Sequence, residues 1–220
     1  MKYILVSLVL ILLVSFSAPN PSNEFDTKLY RKHFTEQERL ELFKIVSFVD
    51  SIVLSQNRFS EIDKAYQYYY DSICELYESS FEVYPSIDEE EKLKFLFNLD
   101  TELFNKIWSK QIPRFVRTND TILYSPVNFY FIDIYNNGEY VKLLKKLGKT
   151  NRYYKQVHKD ILLTGAFSPI FYGGFFDQYY NFDFDYINDR LFFSIVLLTT
   201  EEPIETKVKR YITSGAAHNN

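Results

Sequence analysis

The sequence predicts an all-α fold, a single globular bundle of roughly eight helices. Three observations lead to this prediction. Apolar residues recur at three- and four-residue steps through much of the chain, which is the spacing of one helical face. Helix-starting patterns precede several of these stretches, and few stretches have the alternation of a half-buried strand. A small β-hairpin near residues 121–135 stays open as an alternative.

The first 17 residues have the pattern of a secretory signal peptide. Lys2 supplies a positive charge, residues 4–14 are apolar except for Ser7, and Ser15-Phe16-Ser17 follows the small-x-small rule of signal peptidase. The apolar run is shorter than the roughly 20 residues that cross a bilayer. We therefore expect cleavage after Ser17, no stable transmembrane anchor afterwards, and a periplasmic or secreted protein.

Composition divides the remaining chain into three parts. Residues 18–30 are polar at first and contain two prolines, which predicts a flexible tether. Residues 31–213 carry the helical patterns and form the predicted globular domain, and residues 214–220 are expected to be a disordered tail. Cys74 is the only cysteine, so no internal disulfide is expected.

The first half of the domain contains three helix patterns. Each starts with an N-cap residue and an acidic residue three positions later: Thr35 with Glu38, Ser60 with Asp63, and Ser86 with Glu89. The third pattern keeps its apolar stripe to about Lys110, so one long helix is predicted there, closed by Pro113.

The second half is more ambiguous. Ser125-Pro126 resembles an N-cap followed by a first-turn proline, so a helix is favoured up to Gly138, although the alternation there also permits a strand paired with residues 121–124. A short helix is predicted over residues 139–147, before Gly148, and another after the N-cap Asn151. Residues 186–200 contain LFFSIVLL, which is apolar all round and indicates a buried central helix, with a buried strand as the alternative. A last helix is predicted from Pro203 to about residue 212.

Charge and motifs exclude several classes of function. The formal net charge is −4, and the basic residues are dispersed without a basic block, so a nucleic-acid partner is not expected. The chain lacks an HExxH motif, a Cys/His cluster, a GxSxG motif and a phosphate-binding glycine loop. We therefore predict no metal site, no cofactor and no catalytic residue.

Residues 165–186 read GAFSPIFYGGFFDQYYNFDFDY and are rich in aromatic side chains. Ser168-Pro169 predicts a helix start, and Gly173 and Gly174 within it each cost about 1 kcal/mol relative to Ala. The favoured interpretation is a packed corner where glycine allows close helix contact. The alternative is a ligand-facing set with these members: Tyr172, Phe176, Asp177 and Tyr180.

Four acidic residues follow among the same aromatic rings: Asp177, Asp183, Asp185 and Asp189. Two of them facing each other across a cleft would suit a saccharide hydrolase, since sugar rings stack on aromatic side chains and glycoside hydrolysis uses a carboxyl pair. The simpler interpretation is that Asp183 or Asp185 is the N-cap of the helix that begins near Tyr186 or lies in the turn before it.

These patterns lead to a functional expectation without a specific activity. We expect an exported, non-enzymatic helical protein that binds a small ligand or a protein partner in the cell envelope. The alternative is a saccharide hydrolase with paired carboxylates in residues 177–189. The sequence does not separate a binding role from a purely structural one, and it does not predict the oligomeric state.

Overall fold

A computed structural model describes residues 24–56, 59–80, 87–176 and 181–214. Within these residues the chain forms ten helices and four short strands. In chain order they are α1 (Lys28–Arg31), α2 (Glu36–Ser55), α3 (Ile62–Ser80), α4 (Glu89–Asn98), α5 (Thr101–Ile107), β1 (Trp108–Gln111), β2 (Phe115–Arg117), β3 (Ile122–Tyr124), β4 (Phe131–Ile134), α6 (Glu139–Leu147), α7 (Arg152–Thr164), α8 (Pro169–Phe176), α9 (Ile187–Thr199) and α10 (Ile204–Thr213).

The fold is mostly helical, as predicted, but it is not purely α. The four strands form two separate two-stranded antiparallel sheets. In one, β1 pairs with β4, and Trp108 lies opposite Ile134. In the other, β2 pairs with β3 to form a hairpin over residues 115–124. The hairpin considered as an alternative near residues 121–135 therefore begins earlier in the chain, and β4 is not part of it.

The helix favoured over residues 125–137 is wrong. Ser125 precedes a proline, where the right-handed helical conformation is disfavoured, and it takes a left-handed φ of 46°. Asn128 also has a positive φ, of 60°. After these two turns the chain continues into β4, where Ile132 and Ile134 are buried and the alternate residues Phe131 and Asp133 are partly exposed.

The single long helix predicted from Ser86 to about Lys110 is also wrong, because the chain forms α4, α5 and β1 there. Leu99 adopts an extended conformation, and the Asp100 side chain then accepts hydrogen bonds from two backbone N–H groups of the next turn. Asp88, not Ser86, caps α4 by accepting from the Glu91 N–H at 2.8 Å. Ser86 lies outside the described residues.

Several predicted helix ends are confirmed. Thr35 and Glu38 form a full capping box at the start of α2, and Asn151 caps α7 through its side chain. Gly148 ends α6 at a position where a Cβ would lie 2.7 Å from the Lys155 Cα, so only glycine fits between α6 and α7.

The predicted tether is too long at its C-terminal end. Phe25 is fully buried, and the Tyr30 hydroxyl donates to the Asn188 side chain at 2.6 Å, so residues 24–30 belong to the fold. The predicted signal peptide and residues 18–23 lie outside the described residues. At the other end, Ser214 is the C-cap of α10, and the rest of the predicted tail also lies outside the described part of the chain.

The centre of the core is α9, as its uniform apolarity predicts. Every residue from Leu191 to Thr199 is buried. The Phe193 ring contacts rings from α3, from α8 and from the segment before α9. The expected aspartate N-cap is absent, because Tyr186 occupies that position and makes no side-chain cap bond. No helix among the described residues is long and apolar enough to cross a membrane.

Replacing Phe193 with alanine tests the central position of α9. Because this ring is fully buried among other aromatic rings, F193A should lower the free energy of unfolding by about 3–5 kcal/mol, measured by urea denaturation. Ile170 is 88% exposed, so I170A should change the same quantity by less than about 0.5 kcal/mol. Equal losses in the two variants would contradict this description of the core.

Candidate functional site

The structure separates two of the residues predicted to face a ligand. Phe176 is only 3% exposed, and its ring packs against Tyr70, Tyr77 and Phe175, so it belongs to the core. Tyr172, four residues earlier on α8, is partly exposed and lines a cavity. Asp177 and Tyr180 lie outside the described residues.

Gly173 has a packing role, as the close-contact interpretation expects. A Cβ at this position would lie 3.2 Å from the Tyr77 hydroxyl oxygen, which is tighter than an ordinary contact. The absence of a side chain therefore lets α3 and α8 approach each other, which offsets the helical cost of glycine. The approach also brings Tyr77 and Tyr172 to the wall of the same cavity.

The described aspartates of residues 183–189 stabilise a turn rather than face each other across a cleft. The Asp189 carboxylate is buried and accepts from the Tyr154 hydroxyl and, at 2.8 Å, from the Asp183 N–H. Asp183 accepts in turn from the Asp185 N–H at 3.1 Å. Burial raises the pKa of Asp189, and its two donors oppose that rise. These contacts hold the chain in position ahead of α9.

The cavity beside Tyr172 has a volume of about 510 Å³, which is within the usual range for small-molecule sites. It lies where β4, the start of α8, the end of α9 and one side chain of α3 meet. Its lining combines aromatic rings, hydroxyl groups and two carboxylates: Tyr77, Phe131, Ile132, Asp133, Phe167, Pro169, Tyr172, Thr199, Thr200 and Glu201.

Asp133 is the first of the two carboxylates in the wall. It lies on β4 and accepts from the backbone N–H groups of Ile134, at 2.7 Å, and Phe167. Burial raises the pKa of the Asp133 carboxyl group, and the negative charge of Glu201 raises it further, while the two N–H donors oppose the shift.

Glu201 is fixed from two sides. One carboxylate oxygen accepts from the Ile132 N–H at 2.6 Å, and the other pairs with the ammonium group of Lys207 on α10. The Lys207 ammonium group also lies 5.0 Å from the centre of the Phe131 ring. Glu201 therefore joins the end of α9 to β4 and α10.

The cavity lies at the C-terminal end of α9, where the last carbonyl groups of a helix carry partial negative charge. Lys92 reaches this end from α4: its buried ammonium group donates to the Thr200 carbonyl at 2.7 Å and pairs with Glu89 at the same distance. The Trp108 indole donates to the Thr199 hydroxyl at 2.9 Å. The end of α9 is thus held by polar contacts from several elements.

A second surface stands out on the β2–β3 hairpin. Alternation along the two strands puts four side chains on its outer face, in two cross-strand pairs: Phe115 opposite Tyr124, and Arg117 opposite Ile122. The exposed fractions are 61% for Phe115, 75% for Tyr124 and 45% for Ile122. We call this surface the outer hairpin face.

The opposite face of the hairpin is anchored to the protein. Val116 and Leu123 pack with Phe129 and with Val208 and Tyr211 of α10 in a small core separate from the main one. The Tyr211 hydroxyl also donates to the Val127 carbonyl at 2.8 Å. The aromatic residues of the outer hairpin face are therefore presented from a supported element.

The chain has no match among protein-family models, curated proteins or solved structures. In the part of the chain that the structure describes, no group of three or more His, Cys, Asp or Glu side chains is arranged to hold a metal ion. The two surfaces must therefore be interpreted from their own chemistry.

Sequence reasoning named Tyr172, which lines the cavity, but it named neither of the two carboxylates there nor the outer hairpin face. Asp133 and Glu201 are distant in sequence and meet only because β4 runs beside the end of α9. The hairpin did leave a signal: residues 114–124 read RFVRTNDTILY, in which two alternating strands flank the turn-forming pair Asn119-Asp120.

The pKa of Asp133 can be tested by following its carboxyl carbon by NMR during a pH titration. We expect a pKa above that of an ordinary aspartate, and a lower one in E201Q, because the glutamine removes a neighbouring negative charge yet can still accept from the Ile132 N–H.

The same shift has a consequence for stability. A raised pKa in the folded state favours folding below the unfolded-state pKa, and this contribution is lost as the pH rises through the folded-state pKa. Between the unfolded-state and folded-state pKa values of Asp133, the free energy of unfolding should therefore fall less with increasing pH in D133N than in the wild type. An Asp133 that titrates at or below its ordinary value would contradict both expectations.

Proposed function

We propose that this protein is exported and binds an acidic protein partner through the outer hairpin face. The observation that supports the proposal is the exposure of two aromatic residues and one aliphatic residue on one side of an anchored hairpin. Contiguous exposed apolar side chains of this kind are typical of interaction sites, and aromatic residues are enriched at the centres of interfaces.

The proposed partner is acidic because of the charges around this face. Residues 110–127 contain Lys110, Arg114 and Arg117, and their only acidic residue is Asp120, whereas the whole chain carries a net charge of −4. Both arginines are exposed. Lys110 lies 3.5 Å from the centre of the Tyr130 ring, so the two arginines are the cations most available to a partner. Complementary charge gives such an interface its orientation and speeds association.

Export is supported by the pattern of the first 17 residues. The described fold starts at Glu24, after the proposed cleavage site at Ser17, and its first buried side chain is that of Phe25. Cleavage after Ser17 therefore removes none of the residues that the structure places in the core. The proposal assigns the protein no catalytic residue.

N-terminal sequencing of the protein isolated from the cells that produce it tests the export proposal. The expected first residue is Ala18. Because signal peptidase requires a small residue directly before the cleaved bond, S17F should retain the leader. A mature wild-type protein that still starts at Met1 would contradict the proposal.

A photo-crosslinking amino acid at Ile122 tests the partner-binding proposal, with the same group at the 83% exposed Leu163 of α7 as control. We expect an adduct with a different, acidic protein from position 122 only. F115S/Y124S should reduce its yield at least about tenfold, because large aromatic side chains supply much of the binding energy at interfaces. The hairpin should remain folded, since losing one cross-strand pair costs about 0.2–1 kcal/mol and Val116 and Leu123 are unchanged.

The charge requirement is tested in the same assay. R114E/R117E should abolish the adduct, and high salt should weaken it, because exposed charges are screened. Adducts at both positions, adducts between two copies of this chain, adducts with lipid alone or the absence of any adduct would each rule out an acidic protein partner at this face.

A further inference from the structure

We propose that the cavity beside Tyr172 binds a small organic cation with an alkylammonium group, between the carboxylates of Asp133 and Glu201 and the aromatic rings of the wall. This inference is independent of the outer hairpin face. It rests on the shape of the cavity, the kind of polar groups in its wall and its place at the end of α9.

The charged groups in the wall are all of one sign. Asp133 and Glu201 are carboxylates, and no described residue that lines the cavity is Lys, Arg or His. Ionised carboxylates only accept hydrogen bonds, so a ligand that satisfies them has to supply donors. A primary ammonium group supplies three donors and a positive charge.

The aromatic part of the wall suits the same ligand. Tyr77, Phe131, Phe167 and Tyr172 contribute rings to the cavity. The face of an aromatic ring attracts a cation, and aromatic cages recognise ammonium ligands in many proteins. The alkyl part of the ligand would contact Ile132 and Pro169.

The C-terminal end of α9 is a third feature of the cavity that favours a cation. Thr199, Thr200 and Glu201 bring the C-terminal end of this helix to the cavity, and a helix C-terminus favours positive charge. Two cations of the protein already lie at this end: the ammonium group of Lys92 donates to the Thr200 carbonyl, and the ammonium group of Lys207 forms an ion pair with Glu201. Lys207 compensates Glu201, so Asp133 is the carboxylate without a cationic partner among the described residues.

The proposal predicts a link between binding and protonation. The charged or titratable groups around Asp133 are Glu201 with its partner Lys207, Tyr172 on α8 and Tyr77 on α3. A bound cation favours the ionised form of Asp133 and lowers its raised pKa. Affinity should therefore increase as the pH rises through the pKa of the free protein, and binding in that range should release protons.

Isothermal titration calorimetry of the purified chain with n-butylammonium chloride tests the proposal, with 1-butanol as a neutral ligand of similar size. We expect saturable binding of the cation and at least about tenfold weaker binding of the alcohol, since charge-assisted hydrogen bonds are the stronger ones. Galactose, a neutral polyhydroxyl compound, should not compete. Titrations in buffers of different ionisation enthalpy measure the released protons.

Matched variants locate the binding site. D133N should weaken butylammonium binding about tenfold and abolish the proton release. D160N is the control, because Asp160 is a partly buried aspartate that lines a separate cavity between α7 and α8. If D133N proves unstable, Tyr172 gives a second test: Y172F should keep the affinity, and Y172L should lower it, because only the latter removes the ring.

Four results would overturn the proposal. They are equal binding of 1-butanol and butylammonium, equal losses in D133N and D160N, tighter binding of galactose than of the cation, and no saturable binding of butylammonium at millimolar concentration. Equal binding of the two butyl compounds would show that the cavity selects apolar volume rather than charge.

Discussion

The architecture depends on the burial of one helix. From Leu191 to Thr199, α9 exposes no face to water, so other elements have to cover it on every side. The segment before it and helices α2, α3, α7 and α8 meet this requirement, with rings such as Phe175 and Phe184 against Phe193 and with Tyr154 against Phe192. The aromatic content of the described residues in 165–176 and 181–186 thus has a structural cause.

Burying a helix also buries its two ends, whose backbone groups and flanking charges need partners. At the N-terminal end, Arg190 pairs with Asp50 at 2.7 Å, and Asp189 holds the preceding turn. At the C-terminal end, Lys92 and Trp108 bond to Thr200 and Thr199. Packing is less complete on the side towards β4 and α8, where the cavity lies. The same end that needs cations for its own stability therefore also borders the space in which a cation from outside could bind.

Local signals predicted the helix ends well and the tertiary contacts poorly. The Thr35 capping box, the Asn151 cap and the Gly148 stop depend on neighbours within a few residues, so the sequence contains the whole interaction. The strand at Phe131–Ile134 depends on its pairing with Trp108–Gln111, which lies 20 to 26 positions earlier, and the Ser125-Pro126 pair gave a misleading helix signal. The site followed the same rule. Tyr172 was visible within an aromatic helix, whereas Asp133 and Glu201 become neighbours only through the packing of β4 beside α9. The outer hairpin face was readable from alternation, but the helical patterns around it were favoured instead.

The long sequence separation between α9 and the helices α2 and α3 has a consequence for how the protein is made. A ribosome synthesises α2 and α3 long before residues 187–199, so the apolar faces that these helices turn towards α9 have no final partner during most of translation. Contacts between segments this far apart in sequence form slowly, because a long loop has to close before they contribute. The native core therefore assembles only after residues 187–199 have left the ribosome. Until then the apolar faces of α2 and α3 are exposed, and exposed apolar surface of this kind is what chaperones bind.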